Sequence, residues 1–414
     1  MRFIHTSDWH LGQTLHHFER RFEHQCFLDW LLATLVTEQA QTLLISGDIF
    51  DNANPSAAAQ KQFYQFLQQA KARVPALNIV IIAGNHDSPG RLEMPAPFLE
   101  GMDASVIGFV PRDAAGQIDV SRLVIPLQDA QGVAAWCLAI PFLRPGDVPR
   151  VADLAEGLDP YTAGITALYQ QTLAHALSLR QAGQPIIALG HCHMVGGEVS
   201  QDSERPIVIG GSEALSAKMF DANIAYAALG HLHLAQMVGQ QAHIRYCGSP
   251  IPLSFAEVAY PHQVLRFDTE GETVVDVTPL LVPRAVDLLR VPNKAAPMAE
   301  VLAALAALNL PADLAPEQYP FLEVRIALEQ PEPGLRAQIE AAIEGKPVRL
   351  AKIETRFAAK NSTELEDETL PELAQLQPDA IFNRLYRSKY AADAPPELMA
   401  ALAELMLNIG VDEK

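Results

Sequence analysis

The sequence predicts an α/β fold in which two β-sheets pack as a sandwich flanked by helices, followed by a small α+β domain and a pair of C-terminal helices. Three observations predict it. Short apolar runs alternate with helix-length stretches through the first 110 residues, and strand-like runs recur as far as residue 246. The pattern then changes at the proline-containing stretch 279–283, after which a shorter strand and helix series begins.

Taken in order, Arg2–Thr6 reads as a strand and 22–39 as a helix, since Phe27, Leu28, Leu31, Leu32, Leu35 and Val36 recur at helical spacing. Thr42–Ser46 reads as a buried strand. A second helix is expected near 56–72, with Ser56 suited to cap its free N–H groups. Residues 79–83 are five apolar residues in a row, which suits a strand covered on both faces. Strands are expected at 133–140, 185–189, 207–209, 226–229 and 243–246, enough for a second sheet packed on the first. From 284 to 356 come a strand, an Ala/Leu-rich helix (298–308), strand Phe321–Leu328, a helix (335–344) and a strand (348–355). The expected domains are therefore 1–280 and 284–356, then a polar, acidic linker at 357–377 and a helical segment at 378–410. Within that segment, Ile381, Phe382, Leu385 and Tyr386 form one apolar stripe, and Leu398, Leu402, Leu405 and Ile409 form another.

A chain of 414 residues accommodates two or three such domains. With 49% apolar and 19% charged residues it is not disordered as a whole. Lys plus Arg number 30 against 49 Asp plus Glu, so 30 − 49 = −19. That balance excludes coating nucleic acid by bulk electrostatics, and leaves room for a local basic groove or for metals that supply the positive charge. No run of about 18 uncharged apolar residues occurs, so no membrane span is expected. The N-terminus turns polar too early for a signal peptide. Cys26, Cys137, Cys192 and Cys247 lie far apart with no CxxC pair, which suits reduced thiols in a cytoplasmic protein.

Five short segments carry the chemistry, each just after an expected strand: Asp8-Trp9-His10, Gly47-Asp48-Ile49-Phe50-Asp51, Gly84-Asn85-His86-Asp87, Gly190-His191-Cys192-His193 and Gly230-His231-Leu232-His233. Strand C-terminal ends are where α/β sheets build ligand sites, and a preceding glycine lets the backbone turn sharply. The side chains offer carboxylate, amide and imidazole donors. That set suits Mn²⁺, Fe²⁺ or Zn²⁺ at a hydrolytic centre rather than a Cys-rich structural zinc. Singly, each segment is an ordinary turn; five together in this order are not.

In that order, D-x-H, GD-xx-D, GNHD, GH-x-H and GH-x-H, the chain resembles the calcineurin-like metallophosphoesterases. His5-Thr6-Ser7-Asp8-Trp9-His10-Leu11-Gly12, Ala139-Ile140-Pro141-Phe142-Leu143-Arg144-Pro145 and Leu385-Tyr386-Arg387-Ser388-Lys389-Tyr390 narrow the resemblance to the nuclease subunits of SbcCD-type complexes. The resemblance implies two Mn²⁺ ions per chain, with Mg²⁺, Fe²⁺ or Zn²⁺ as substitutes. Asp48 would bridge them, with Asp8, His10 and His233 on one and Asn85, His191 and His231 on the other. It further implies His86 as the catalytic histidine, Asp51 as its hydrogen-bonding partner, and Asp87 as a support for a neighbour. His193 has no slot in that pattern and reads as a bystander or support. His16, His17, His24, His175, His243 and His262 read as surface or packing residues, and Cys192 as a small buried side chain. Trp9 suits either stacking on a base or packing beneath its loop.

The implied activity is ATP-dependent 3′ to 5′ exonuclease action on double-stranded DNA ends and endonuclease action on single strands and hairpins, in DNA repair, recombination and replication. The implied partners are DNA, a second copy of the chain, and an SbcC-type coiled-coil ATPase docked on the C-terminal helices, in a heterotetramer. No GxxxxGK[ST] segment occurs, so ATP hydrolysis would be the partner's. The 284–356 domain would cap the active site. Segments 56–72 and 92–101, with Phe63, Phe66 and Leu67, are the candidates for the homodimer contact, though the core would use the same residues. Arg20, Arg21, Arg91, Arg144 and Lys218 are candidate phosphate contacts. The competing readings are a phosphoprotein phosphatase or cyclic-nucleotide phosphodiesterase of the same superfamily, and a non-catalytic scaffold for DNA ends. The extra domain and terminal helices argue against the former, and the full donor set against the latter.

Overall fold

Alternate residues of the same strands feed two different cores. Arg2–Thr6 sends Ile4 outward and Phe3 inward, Thr42–Ser46 parts Leu43 and Ile45 from Leu44, and Asn78–Ile82 parts Ile79 and Ile81 from Val80 and Ile82. Unbroken apolar strands therefore mean burial on both faces. The outer core is completed by helices Arg21–Thr37 and Ala57–Arg73, which contribute Phe27, Leu31, Phe63, Phe66 and Leu67. In the inner core, Phe3, Leu44, Val80 and Phe267 meet Cys137, Ile187, Leu189 and Tyr226 of the second sheet.

The computed structural model describes residues 1–151, 154, 159–198, 214–311, 313–330, 332–357, 378–390, 392–395, 398, 399 and 402. The first sheet runs, edge to edge, Thr273–Leu281, Gln263–Glu270, Arg2–Thr6, Thr42–Ser46, Asn78–Ile82 and Ala104–Ile107, the last four parallel. The second runs Gln236–Val238, Gln241–Tyr246, Ile224–Gly230, Ile186–His191, Gly132–Ala139 and Val124–Asp129, the middle four parallel. Helix Pro160–Leu179 covers the second sheet with Ile165, Leu168, Tyr169 and Leu173.

This is the sandwich flanked by helices that the sequence predicts. Ser56 caps its helix as expected, its Oγ accepting from the Ala59 N–H at 3.2 Å. Helix Pro160–Leu179, the interior strand Gln263–Glu270 and the outer strands of both sheets lie beyond what the sequence predicts. Gly164 lets that helix pack closely, since a Cβ there would press on Val148 and Pro149 (2.7 and 2.9 Å). The strand expected at 207–209 lies outside the described residues, as do 358–377 of the linker and all of the second terminal helix but 398, 399 and 402.

The chain divides into two units, Met1–Leu288 and Leu289–Lys414. In the second unit, strand Phe321–Leu328 lies between Leu288–Ala296 and Arg349–Phe357. Helices Met298–Ala306 and Leu335–Ala342 cover one face through Val301, Leu305 and Ile339. On the strands, Arg290, Arg325 and Lys352 surround the buried carboxylate of Glu323 at 2.9, 2.8 and 3.3 Å. In helix Pro378–Tyr390 the rings of Tyr386 and Tyr390 lie 4.5 Å apart, tilted by 41°, and Tyr390 meets Phe357 edge-on.

Two expectations are corrected by packing. Phe63, Phe66 and Leu67 are all but inaccessible in the core and present nothing to a partner. Arg20 is likewise buried, its guanidinium paired with Glu23 and donating to the Pro252 carbonyl, so it cannot meet a phosphate. Trp9 packs edge-on against Phe27, Phe63 and Phe66 and donates to Thr6 Oγ1 at 2.9 Å, which decides for packing over base stacking.

His5 lies buried against Tyr226, with Nδ1 3.2 Å from the hydroxyl, and burial pushes its pKa down to about 3. An unfolded histidine titrates near pH ~6.5. Since the folded value is the lower one, the stability tied to a neutral His5 is complete above the unfolded pKa and is lost as pH falls toward the folded one. In urea unfolding of metal-free protein at pH 7, 5 and 4, His5→Leu should lose stability less steeply than wild type, by about 1.4 kcal/mol per pH unit. Parallel curves would rule this out.

Candidate metal centre

Parallel strands end on the same side, so the loops after Arg2–Thr6, Thr42–Ser46, Asn78–Ile82, Ile186–His191 and Ile224–Gly230 meet at one corner of the sandwich. Main-chain bonds lock the first two loops together: Asp8 N–H to Gly47 O at 3.0 Å, His10 N–H to Asp48 O at 3.0 Å and Leu11 N–H to Ile49 O at 2.9 Å. Asp8, His10, Asp48 and His231 all take left-handed backbone conformations, with φ of 54°, 47°, 50° and 104°. Such conformations cost on the order of 1–3 kcal/mol each and persist only where the surroundings enforce them. Gly84 and Gly230 are among the glycines obligatory for space. A Cβ at Gly84 would overlap Asp48, and one at Gly230 would overlap the Ser46 carbonyl.

Asp8, His10, Asp48, His191, His231 and His233 are buried here, while Asn85, His86 and Asp51 are partly exposed. Donor atoms of Asp8, His10 and His233 lie within 4.8 Å of one another, as do those of Asp8, Asp48 and His191, and of His10, Asp48 and His86. Asn85 Oδ1 faces His191 Nε2 at 2.9 Å and His231 Nδ1 at 3.2 Å. Asp48 Oδ2 lies 3.4 Å from His191 Nε2 and 3.6 Å from His10 Nε2, a buried nitrogen without a hydrogen-bond partner. Two buried carboxylates, an amide oxygen and clustered imidazoles are what a pair of divalent cations requires, and the residues fit that group.

Electrostatics give the same account. Burial and the nearby Asp48 charge push Asp8 upward against the pull of His191 and His233. Burial also opposes charge on Asp48, but His191, His10 and His86 hold it well below the usual carboxylate range. Burial likewise disfavours the His191 cation, yet Asp48, Asp8 and the Ser46 carbonyl raise its pKa to about 9. His231 is pushed far down by burial and by the neighbouring His191. The two buried carboxylates call for positive charge at this corner, which a divalent cation would supply.

The supporting residues differ partly from expectation. Asp87 accepts from the N–H groups of Gly84, Phe50 and Ile49 at 2.8, 2.9 and 3.2 Å, joining two loops, and burial with the Asp48 charge raises it to about 6. His86 Nδ1 lies 2.7 Å from the Asp51 main-chain carbonyl, whereas the Asp51 carboxylate faces His10 Nδ1 at 3.3 Å. Asp51 thus meets His86 through its backbone rather than its side chain. His193 is half-buried beside His231, with ring centroids 6.2 Å apart. Glu257, which belongs to none of the five motif segments, pairs with His233 Nδ1 at 2.9 Å. It lies 24 residues from its partner, and nothing in its local sequence marks it.

Residues 1–235 match the calcineurin-like phosphoesterase family, and 284–390 match the family described as the Type 5 capsule protein repressor C-terminal domain. The SbcD chain of the SbcCD nuclease of Rhodobacter capsulatus is 40% identical over 356 residues, covering 85% of this chain and 86% of the relative. The Escherichia coli K12 protein of the same name is 33% identical over 392 residues, 93% of this chain and 92% of the relative. That of Bacillus subtilis is 34% identical over 282 residues, 67% of each.

Gly84→Ala should destabilise the protein by roughly 1–3 kcal/mol in urea unfolding and weaken Mn²⁺ binding measured by calorimetry. The control is Gly101→Ala, where a Cβ meets nothing within 4 Å. Two wild-type-like variants would mean that the Gly84 loop has room to spare.

Proposed function

Because this chain belongs to the calcineurin-like phosphoesterase family and aligns along most of its length with the SbcD chains of SbcCD nucleases, we propose that it is a metal-dependent DNA nuclease working within an SbcCD-type complex. The observation that carries the reading is the convergence of Asp8, His10, Asp48, Asn85, His191, His231 and His233 on one buried corner. In the proposed assignment, Asp8, His10 and His233 hold one Mn²⁺, Asn85, His191 and His231 hold the second, and Asp48 is shared. When bound, such a pair supplies positive charge to the phosphate and makes a water molecule a competent nucleophile near neutral pH.

The chain's own residues do the rest. Since a carbonyl only accepts, His86 donates its Nδ1 proton to Asp51, so it is the imidazolium, protonated at both nitrogens, that would pass its Nε2 proton to the departing oxygen and revert to the neutral Nδ1–H form. That transfer is worth about 10²–10⁴ in rate. Asp51 holds His86 by its carbonyl and aligns His10 by its carboxylate; burial opposes charge there, but His10 and His86 keep that carboxylate below the usual range. Arg21, Arg91, Arg144 and Lys218 are exposed and remain the proposed phosphate contacts.

The finer proposal is ATP-dependent 3′ to 5′ exonuclease action on duplex ends and cleavage of hairpins and single strands, with domain 284–356 restricting which DNA enters. Homodimerisation is supported by the exposed Met94, Phe98 and Phe109, apolar side chains on or beside the short helices Pro89–Glu93 and Ala96–Leu99. ATPase docking is supported by helix Pro378–Tyr390, where Leu385 is 63% exposed. Four unbridged cysteines suit a cytoplasmic location. Among the described residues no helix is long and apolar enough to cross a membrane. A phosphatase of small or protein substrates has no evident use for the C-terminal region that matches a second family at 284–390.

The test is a labelled hairpin duplex cut in Mn²⁺. His86→Ser should lose at least 100-fold in rate, on the order expected for general acid catalysis, while retaining its metal. Unchanged cleavage would overturn the role of His86, and no cleavage of any DNA by wild type with its ATPase would overturn the nuclease reading. Removing 379–414 should abolish co-purification with a coiled-coil ATPase and leave metal uptake intact.

A further inference from the structure

Glu257 lies fully buried in the single turn Phe255–Glu257, which Ser254 caps through its Oγ. Both carboxylate oxygens are engaged. Oε1 faces His233 Nδ1 at 2.9 Å, and Oε2 accepts the Leu253 backbone N–H at 2.7 Å. An acceptor-only group opposite Nδ1 requires the proton there, so the lone pair of a neutral imidazole resides on Nε2. Asp8 and His10, the other members of the triplet with His233, are buried too, so nothing from solvent can set that tautomer.

We propose that Glu257 is a positioning residue for the cation assigned to Asp8, His10 and His233, holding His233 in the tautomer that ligates through Nε2. The proposal rests on the metal-centre reading above and names a residue that reading leaves out. Two N–H donors, one from Leu253 and one from His233, converge on this side chain, and only a carboxylate accepts both. An amide of the same shape has one acceptor and one donor end. With its oxygen on the Leu253 N–H, its NH₂ would face Nδ1 and drive the imidazole proton to Nε2, blocking ligation. The loop would stay tied while the ligand was lost, which separates a role towards the cation from a structural one. Carboxylate partners of metal-bound histidines are worth about 10–100-fold in affinity.

The experiment uses full-length protein, wild type and Glu257→Gln, stripped of metal and titrated with Mn²⁺ while free Mn²⁺ is followed by electron paramagnetic resonance. Wild type should take up two equivalents. The variant should keep one at wild-type affinity and bind the other roughly 10–100-fold more weakly, with an unchanged melting temperature in EDTA. Wild-type uptake of both equivalents by the variant would overturn the proposal. So would equal weakening of both together with a lowered metal-free melting temperature, since that describes a purely structural tie. Absence of uptake by wild type would instead overturn the metal-centre reading. A second measurement needs no folded Glu257 variant: long-range ¹H–¹⁵N spectra of metal-free wild type, with the His233 signals assigned by their loss in His233→Ala. A proton on Nδ1 supports the proposal, and one on Nε2 overturns it.

Discussion

Everything at the corner of the sandwich follows from placing the Asp48 carboxylate where water cannot reach it. A buried anion is tolerated only when fully compensated. Here Oδ1 accepts the His86 N–H at 2.8 Å, Oδ2 faces His10 and His191, and the Asp48 carbonyl takes the His10 N–H. One residue thereby fixes parts of four loops. It does so from a left-handed backbone conformation that an aspartate does not adopt unaided.

The energy that enforces this comes from the sheets. Parallel strands with apolar residues on both faces cannot slip by one residue without turning a whole side-chain set into the wrong core. Ile4 and Phe3, Leu43 and Leu44, and Ile81 and Ile82 each belong to opposite cores, so register is doubly specified where the loops begin. Rigid strand ends then present strained residues at fixed spacing, and Gly84 and Gly230 admit the close approach that the side chains need. Asp87 completes the joint by tying the Gly84 loop to the Ile49-Phe50 backbone.

Charge is organised on the same principle. A net charge of −19 surrounds the chain with a negative field at long range, so positive charge has to be gathered locally. Several of its cations are committed inside the fold: Arg20 to Glu23 and a carbonyl, Arg290 and Arg325 to the buried Glu323. Arg21, Arg91, Arg144 and Lys218 are instead exposed to solvent. Divalent cations at the candidate metal centre would add positive charge where it is most effective, in a low-dielectric recess.

Local pattern was enough to specify the central strands, the helices Arg21–Thr37 and Ala57–Arg73, the small strand and helix domain and the motif residues, because each is written in periodicity or in a turn that needs glycine. Helix Pro160–Leu179 carried a usable signal, with Ile165, Leu168, Tyr169, Thr172, Leu173 and Ala176 on one face. The outer strands carried less, being partly exposed and weakly patterned. The pairings between side chains became legible only in the folded molecule. Whether Phe63 faces a core or a partner, whether Arg20 meets solvent or Glu23, and whether Asp51 reaches His86 by carboxylate or carbonyl depend on residues distant in the chain. Glu257 is the plainest instance: its partner His233 ends a different loop, and only the folding of the two loops against each other brings the atoms together.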